Sequence, residues 1–215
     1  MTRFLRYHGL QGLTAAVLVA LTVWADQRYV FIDNLGVVEP GQLVRCEQPS
    51  GDQWRRLKRF GISRVVNLRT VAEGPADFAG GQDFCSRQSW ELQHQPITRK
   101  LPDLGQIDDF LFAARDPNAT VLFHCKHGED RTGVLAAAYR VVVQNWTVRK
   151  AMAEMRRYRC RLDGVKLRLV RRLLLNLRNR RQYWLRRTDP ADVWVRRGGP
   201  RGNLLLTALP GRTGR

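Results

Sequence analysis

Hydrophobic and polar positions alternate along this chain in two periods, one near 2 and one near 3.6, and the switches between them mark the elements. Val121-Leu122-Phe123 reads as a buried strand, and Ile62 to Leu68, rich in Val and Ile, reads as another. Trp90 to Ile97 sets Trp90, Leu92 and His94 against polar neighbours, a strand pattern, and Asn34 to Pro49 holds one short strand leaving a loop. Ser50-x-x-Gln53 is a capping-box pattern that opens a helix through Phe60, ended by Gly61. Glu73 to Gly81 reads as a loop flanking a short helix to Ser89. Asp103-x-x-Gln106 starts a helix whose Ile107, Phe110, Leu111 and Ala114 fall at core spacing, and Asp116-Pro117-Asn118 turns the chain into the strand at Val121. Helices are further predicted over Thr132 to Val143 and, capped by Thr147, over Val148 to Tyr158. A last one, Val165 to Arg187, puts Leu167, Val170, Leu174 and Leu177 on one face with Leu169 and Leu173 beside them. Strands alternating with helices predict an α/β fold, a central sheet flanked by helices, with ligands at the strand ends.

The stretch His124-Cys125-Lys126-His127-Gly128-Glu129-Asp130-Arg131-Thr132-Gly133 lies between a predicted strand and a predicted helix. A cysteine there faces backbone N–H groups and the positive end of the helix dipole, a setting that holds a phosphate dianion and favours an anionic sulfur. Arg131 sits six positions after Cys125, where its planar fork can grip two phosphoryl oxygens. Thr132 can place a hydroxyl near the sulfur, and Gly128 and Gly133 allow tight turning and close packing. A metal reading of His124, Cys125 and His127 is weaker, because strand neighbours point to opposite faces and no second ligand pair lies elsewhere.

These residues resemble the Cys-x5-Arg-Thr-Gly loop of the cysteine-based protein tyrosine and dual-specificity phosphatases. Arg45, Gln48 and Pro49 match an opening segment of their bacterial, plant and fungal dual-specificity-like members, Leu-Tyr-Arg-Ser-Gly-Gln-Pro, with Cys46 and Glu47 replacing Ser-Gly. Trp146-Thr147 followed by Ala151 and Glu154-Met155 also resembles that family, so the likeness runs from residue 34 to 158. It implies that Cys125 attacks phosphorus to form a phosphocysteine, that Arg131 and Thr132 assist, and that Lys126, His127, Gly128, Glu129, Asp130 and Arg131 cradle the phosphate. It implies no cofactor and no metal.

The leaving oxygen needs a proton and the intermediate needs an activated water. Asp130 stands where some bacterial lipid and tyrosine phosphatases carry a working aspartate, and Asp103 falls in the region that bears a mobile acid loop in many relatives. Asp103 is equally well placed to cap a helix. Glu129 departs from the lysine that relatives often carry, and its charge is expected to weaken binding of heavily phosphorylated groups, while Lys126 and His127 act the other way. His124 and Gly133 are expected to order the loop, His124 by hydrogen bonding rather than as a base. Some relatives pair the nucleophile with a resolving cysteine, a role open to Cys46 or Cys85, although burial of both is the plainer reading. The resemblance implies phosphotyrosine or phosphoserine/threonine proteins as substrates. The alternatives are phosphoinositides or other small phosphate esters, or a silent phosphate-binding module, against which the intact Cys125, Arg131 and Thr132 count.

Composition changes the picture at the two ends. The 215 residues carry a net charge of +18, mostly arginine, which fits polyanionic substrates or an anionic membrane surface, with no specific nucleic acid expected. Four widely spaced cysteines without a Cys-x-x-Cys pair make no disulfide framework. Arg3 and Arg6 precede an uncharged run, Gly9 to Ala25, whose apolar centre is short of the roughly 20 residues of a spanning helix. Residues 1–25 thus read as a signal peptide or membrane anchor, with Val23-Trp24-Ala25 as a cleavage site, or else as a packed helix. The basic flank favours a cytoplasmic N-terminus and an extracytoplasmic catalytic domain over residues 26–187; the alternative is the cytoplasmic face of the membrane. The final helix carries nine Lys/Arg and no acid, so beyond packing on the domain it can lie on a membrane surface. Residues 188–215 read as a basic, flexible tail.

Overall fold

A computed structural model describes residues 31–98 and 101–189. The N-terminal run and all of the tail beyond Asp189 lie outside these residues. Five strands form one sheet: β1 (Gly36–Glu39), β2 (Leu43–Cys46), β3 (Arg64–Asn67), β4 (Glu91–His94) and β5 (Val121–His124), in the order β1-β2-β5-β3-β4. β1 and β2 are an antiparallel hairpin turned at Gly41, whose φ is +71°, and every other pairing is parallel. The sequence suggested one strand here; the second is four residues long and too short for periodicity to register. The parallel strands β2, β3 and β5 end level, with Cys46 and Asn67 both opposite His124. The loops that follow them therefore converge at one edge.

Alternation along the central strands feeds two cores. Val44, Val65 and Leu122 face α1 (Gly51–Leu57) and α2 (Pro75–Arg87), packing with Trp54, Leu57 and Cys85. Leu43, Val66, Val121 and Phe123 face the other layer: α3 (Leu104–Ala114), α4 (Asp130–Val142), α5 (Val148–Arg157), α6 (Gly164–Asn179) and α7 (Arg181–Arg187). Ile107, Phe110, Leu111 and Ala114 are fully buried as their spacing predicts, and α3 opens on the expected capping box of Asp103 and Gln106. Helix α4 is buried from Thr132 to Val142, so it is a core helix whose dipole starts at the loop after Cys125. Arg140 on α4 grips Glu154 on α5 through Nε and Nη2 and donates to the Val38 carbonyl of β1, fixing three elements together.

Two expectations need correction. Residues 75–87 are a full helix where the sequence predicts loop as far as Gly81: Pro75 sits in its first turn, and Gly80-Gly81 lies inside it. The predicted helix 165–187 is two helices broken at Arg180, and Leu169 stands 47% exposed instead of beside the buried Val170, Leu174 and Leu177.

Gly81 is explained by Trp54, whose ring would lie 3.2 Å from an added Cβ, whereas a Cβ on Gly80 meets nothing within 4 Å. Gly80→Ala should therefore stabilise the fold by about 0.5–1 kcal/mol, and Gly81→Ala should give less. Urea denaturation of the two variants checks this; a Gly80→Ala variant weaker than Gly81→Ala contradicts it.

Candidate active site

A cleft of about 400 Å³ opens at the level ends of β2, β3 and β5. Cys125, Lys126, His127, Glu129, Asp130 and Arg131 line it, joined by Glu73, Thr98 and Arg161 from other loops. The sheet and α4 set the frame, since Cys125 directly follows β5 and Asp130 begins the helix.

The shape of the loop follows from where its carbonyls go. The Lys126 carbonyl accepts from the Gln48 N–H (3.2 Å), that of His127 from Asn34 Nδ2 (2.7 Å), and that of Gly128 from Arg45 Nη2 (2.5 Å). None of the three donors lines the cleft. In a planar trans peptide the following N–H points the opposite way, so the N–H groups of His127, Gly128 and Glu129 turn toward the cleft. Three aligned donors at a helix N-terminus make an anion cradle. Gly128 is required there twice over: its φ is +67°, and a Cβ would sit 2.6 Å from the Cys46 carbonyl oxygen.

Arg45 lies beneath this loop, 1% exposed, with its guanidinium 3.8 Å from the Tyr158 ring centroid. Burial lowers its pKa to about 10, and the Tyr158, Glu154 and Cys125 charges act against that fall, so it stays cationic at neutral pH. Arg45, Gln48 and Pro49, the positions similar to the phosphatases, thus include two of the three groups that turn the loop. Cys46, in place of serine, is fully buried and burial pushes its thiol well up; Glu47 accepts from the Asp33 N–H at 3.0 Å.

Arg131 is held by a residue whose role was not read from the sequence. Glu73 accepts from Arg131 Nη1 (2.8 Å) and Nη2 (2.7 Å), while Nη1 also reaches the carbonyls of Leu68 and Ile97. Of the five guanidinium donors, Nε–H and one Nη2–H remain as a second fork edge, and Arg131 and Cys125 line the same cleft. Burial acts to lower the Arg131 pKa, and the bonds to Glu73 outweigh it and raise it. Glu73 is in turn placed by Arg69, which is 3% exposed, donates to the Glu73 carbonyl and pairs with Asp77 at 2.9 Å. Thr70-x-x-Glu73 is itself a capping box, so the same signal that revealed the helix at Ser50 was present here.

The remaining candidates separate. Asp130 lines the cleft, its Oδ1 accepting from the Arg161 N–H at 2.7 Å. Asp103 does not line it; its Oδ1 accepts from the Gln106 N–H at 2.8 Å as the cap of α3. Glu129 is 4% exposed and its carboxylate pairs with Arg161 at 2.9 Å and Arg159 at 3.8 Å, so its charge is offset rather than presented bare to a phosphate. His124 is fully buried edge-on to Trp54, with Nδ1 3.5 Å from the Cys125 carbonyl; burial lowers its pKa to about 4, leaving it neutral. The Thr132 hydroxyl is buried with no hydrogen-bond partner among the described residues, and a Cβ added to Gly133 would lie 3.8 Å from the Met155 side chain. Cys85 belongs to the core on the α1–α2 side and Cys125 to the opposite one, and all four cysteines are free. Among the described residues no group of three His, Cys, Asp or Glu could hold a metal.

Sheet order, cradle and arginine clamp together define a phosphatase-type α/β domain. The chain belongs to the dual specificity phosphatase catalytic-domain family, whose model matches residues 46–175. It is 52% identical over 44 residues to the dual specificity protein phosphatase TpbA of Pseudomonas aeruginosa, a stretch that is 20% of this chain and 20% of that relative. The crystal structure of P. aeruginosa TpbA is similar over 70% of this chain and 91% of its own, at 25% identity and a TM-score of 0.56. The core catalytic domain of the PP-IP phosphatase Siw14 from S. cerevisiae shares the fold, with a TM-score of 0.58 at 20% identity over 68% of this chain and 87% of its own.

The clamp has a pH signature. The Arg131 hydrogen bonds hold the Glu73 carboxyl at about 2, below its ordinary 4.5. A depressed carboxyl contributes stability that is present above the unfolded value and lost as pH falls from about 4.5 toward 2. Because Glu73 is partly exposed, the contribution is on the order of 1 kcal/mol or less. Wild type should therefore lose more stability between neutral pH and pH ~3 than Glu73→Gln does. Equal losses in urea midpoint would contradict the clamp.

Proposed function

We propose that this domain hydrolyses phosphomonoesters through a phosphocysteine, with phosphotyrosine or phosphoserine/threonine proteins as substrates. The observation that carries the reading is the cradle: Cys125 lining the cleft, the N–H groups after it turned inward, and Arg131 lining the same cleft with one fork edge left open by Glu73. In this reading the Cys125 thiolate attacks phosphorus, the S–P bond forms as the P–O bond to the leaving group breaks, and the leaving oxygen takes a proton. Water then attacks phosphorus, the S–P bond breaks, and inorganic phosphate leaves with the thiolate restored. The inward N–H groups and Arg131 meet the charge that builds on the three equatorial oxygens. Glu73 orients Arg131 through its two carboxylate oxygens. Asp130 is the favoured acid because it lines the cleft, whereas the Asp103 carboxylate is committed to capping α3.

A second reading, a small substrate with several phosphates, is favoured by one observation: Lys126 lines the cleft while the Glu129 carboxylate is paired off by Arg161 and Arg159. The fold shared with the PP-IP phosphatase Siw14 supports it. For location, the sequence of residues 1–25 supports export or anchoring with the domain outside the cytoplasm, and the alternative remains the cytoplasmic membrane face.

Purified protein should hydrolyse an aryl phosphate without added metal. Cys125→Ser should abolish turnover while still binding inorganic phosphate, and Arg131→Lys should lose on the order of 100-fold or more in kcat/KM because a point charge does not replace a fork. Retained turnover in Cys125→Ser sinks the nucleophile. In the same assay Asp130→Asn should slow alkyl phosphates, which have poorer leaving groups, far more than aryl phosphates. That dependence appearing in Asp103→Asn instead reverses the ranking of the two acids.

A further inference from the structure

Helix α6 begins three residues after Arg161, which lines the cleft, and runs from that rim across the domain. Its inner face is anchored by Val170, Leu174 and Leu177, all fully buried. The opposite face is of a different character. Arg168, Arg171 and Arg172 are exposed there, and among them stand three aliphatic side chains that the fold leaves in water: Val165 at 59%, Leu169 at 47% and Leu175 at 37% exposure. From Arg156 to Arg187 the sequence has thirteen Lys/Arg against one acid, Asp163. Asp163 is already committed, capping α6 and pairing with Lys166 at 2.5 Å. The face is therefore cationic without internal compensation along its own helix, and it carries apolar groups that its own core does not use.

We infer that the outer face of α6 is a docking surface for an anionic lipid bilayer. The arginines complement acidic headgroups, and Val165, Leu169 and Leu175 enter the headgroup–acyl boundary, where aliphatic side chains gain by leaving water. A nucleic acid would use the same charges but offers these aliphatics no place, and single-strand binders present aromatic stacking platforms, whereas the exposed large apolar groups of α6 are all aliphatic. Docking by this face sets the protein on the bilayer with the cleft at the end of the same helix. The surface is independent of the catalytic reading, since none of its residues lines the cleft.

The test uses the full chain, so that residues 1–25 contribute equally to every arm, and reads partitioning onto vesicles of phosphatidylcholine alone and of phosphatidylcholine with phosphatidylserine. Wild type should prefer the anionic vesicles, and salt should weaken that preference. Arg168→Gln/Arg171→Gln/Arg172→Gln should reduce it by about five-fold per arginine, on the order of 100-fold together, with aryl-phosphate hydrolysis unchanged. Leu169→Ser should lower binding to anionic vesicles and leave binding to a single-stranded oligonucleotide as it was. Equal partitioning of wild type onto both vesicle types, or a triple variant that keeps the preference, overturns the inference. So does an oligonucleotide that binds more tightly than the anionic vesicles while Leu169→Ser leaves vesicle binding unaltered. Absence of hydrolysis in wild type and variants alike would count against the phosphatase reading and not against this surface.

Discussion

A guanidinium held 1% exposed under a loop is costly to desolvate, and Arg45 is kept there by partners that also build the site. Its Nη2 draws the Gly128 carbonyl outward, the Tyr158 ring covers its face, and Cys125 lies within range of its charge. Turning one carbonyl out turns the next N–H in, so the cost of burying Arg45 is repaid as orientation of the anion cradle. The glycine at 128 follows from the same packing, because the loop must pass within van der Waals contact of the Cys46 backbone to reach Arg45. The connector 158–163 follows too: Tyr158 stacks on Arg45, and Arg159 and Arg161 reach the loop at Glu129.

A second support comes from the opposite side of the cleft. Asp77 on α2 pairs with Arg69, Arg69 holds the Glu73 carbonyl, and the Glu73 carboxylate takes one edge of the Arg131 fork. Gln48 joins the two supports, donating its N–H to the Lys126 carbonyl and accepting from Arg69 through Oε1 at 3.1 Å. Segments near residues 45, 70, 125 and 160 thereby brace one another. The groups that the proposed chemistry uses are held in place by the fold itself, which is what electrostatic catalysis requires.

Much of this was legible in the sequence, for physical reasons. Strand β5, the loop and α4 announce themselves because a buried strand, a cysteine and an arginine with fixed spacing are dictated by local chemistry. The helices at Ser50, Asp103 and Thr147 were visible through their caps. What escaped depends on packing over long sequence separation. Nothing local says that Gly81 serves Trp54, that Glu129 is met by Arg161, or that Arg45 is the cation beneath the loop. Glu73 lay behind a capping pattern that was present, but only the fold carries it to Arg131, 58 residues away. Leu169 failed for the opposite reason: a leucine beside an apolar stripe belongs to the core by composition, and its helix turns it outward.

The central claim is that Arg45 shapes the cradle rather than merely stabilising the domain. Arg45→Met separates the two, because replacing a buried cation by an apolar side chain of similar length is often tolerated. With the urea midpoint showing the variant folded under assay conditions, the affinity for inorganic phosphate and kcat/KM on an aryl phosphate should both fall, on the order of 100-fold. A folded Arg45→Met protein that binds phosphate and turns over like wild type would contradict the account.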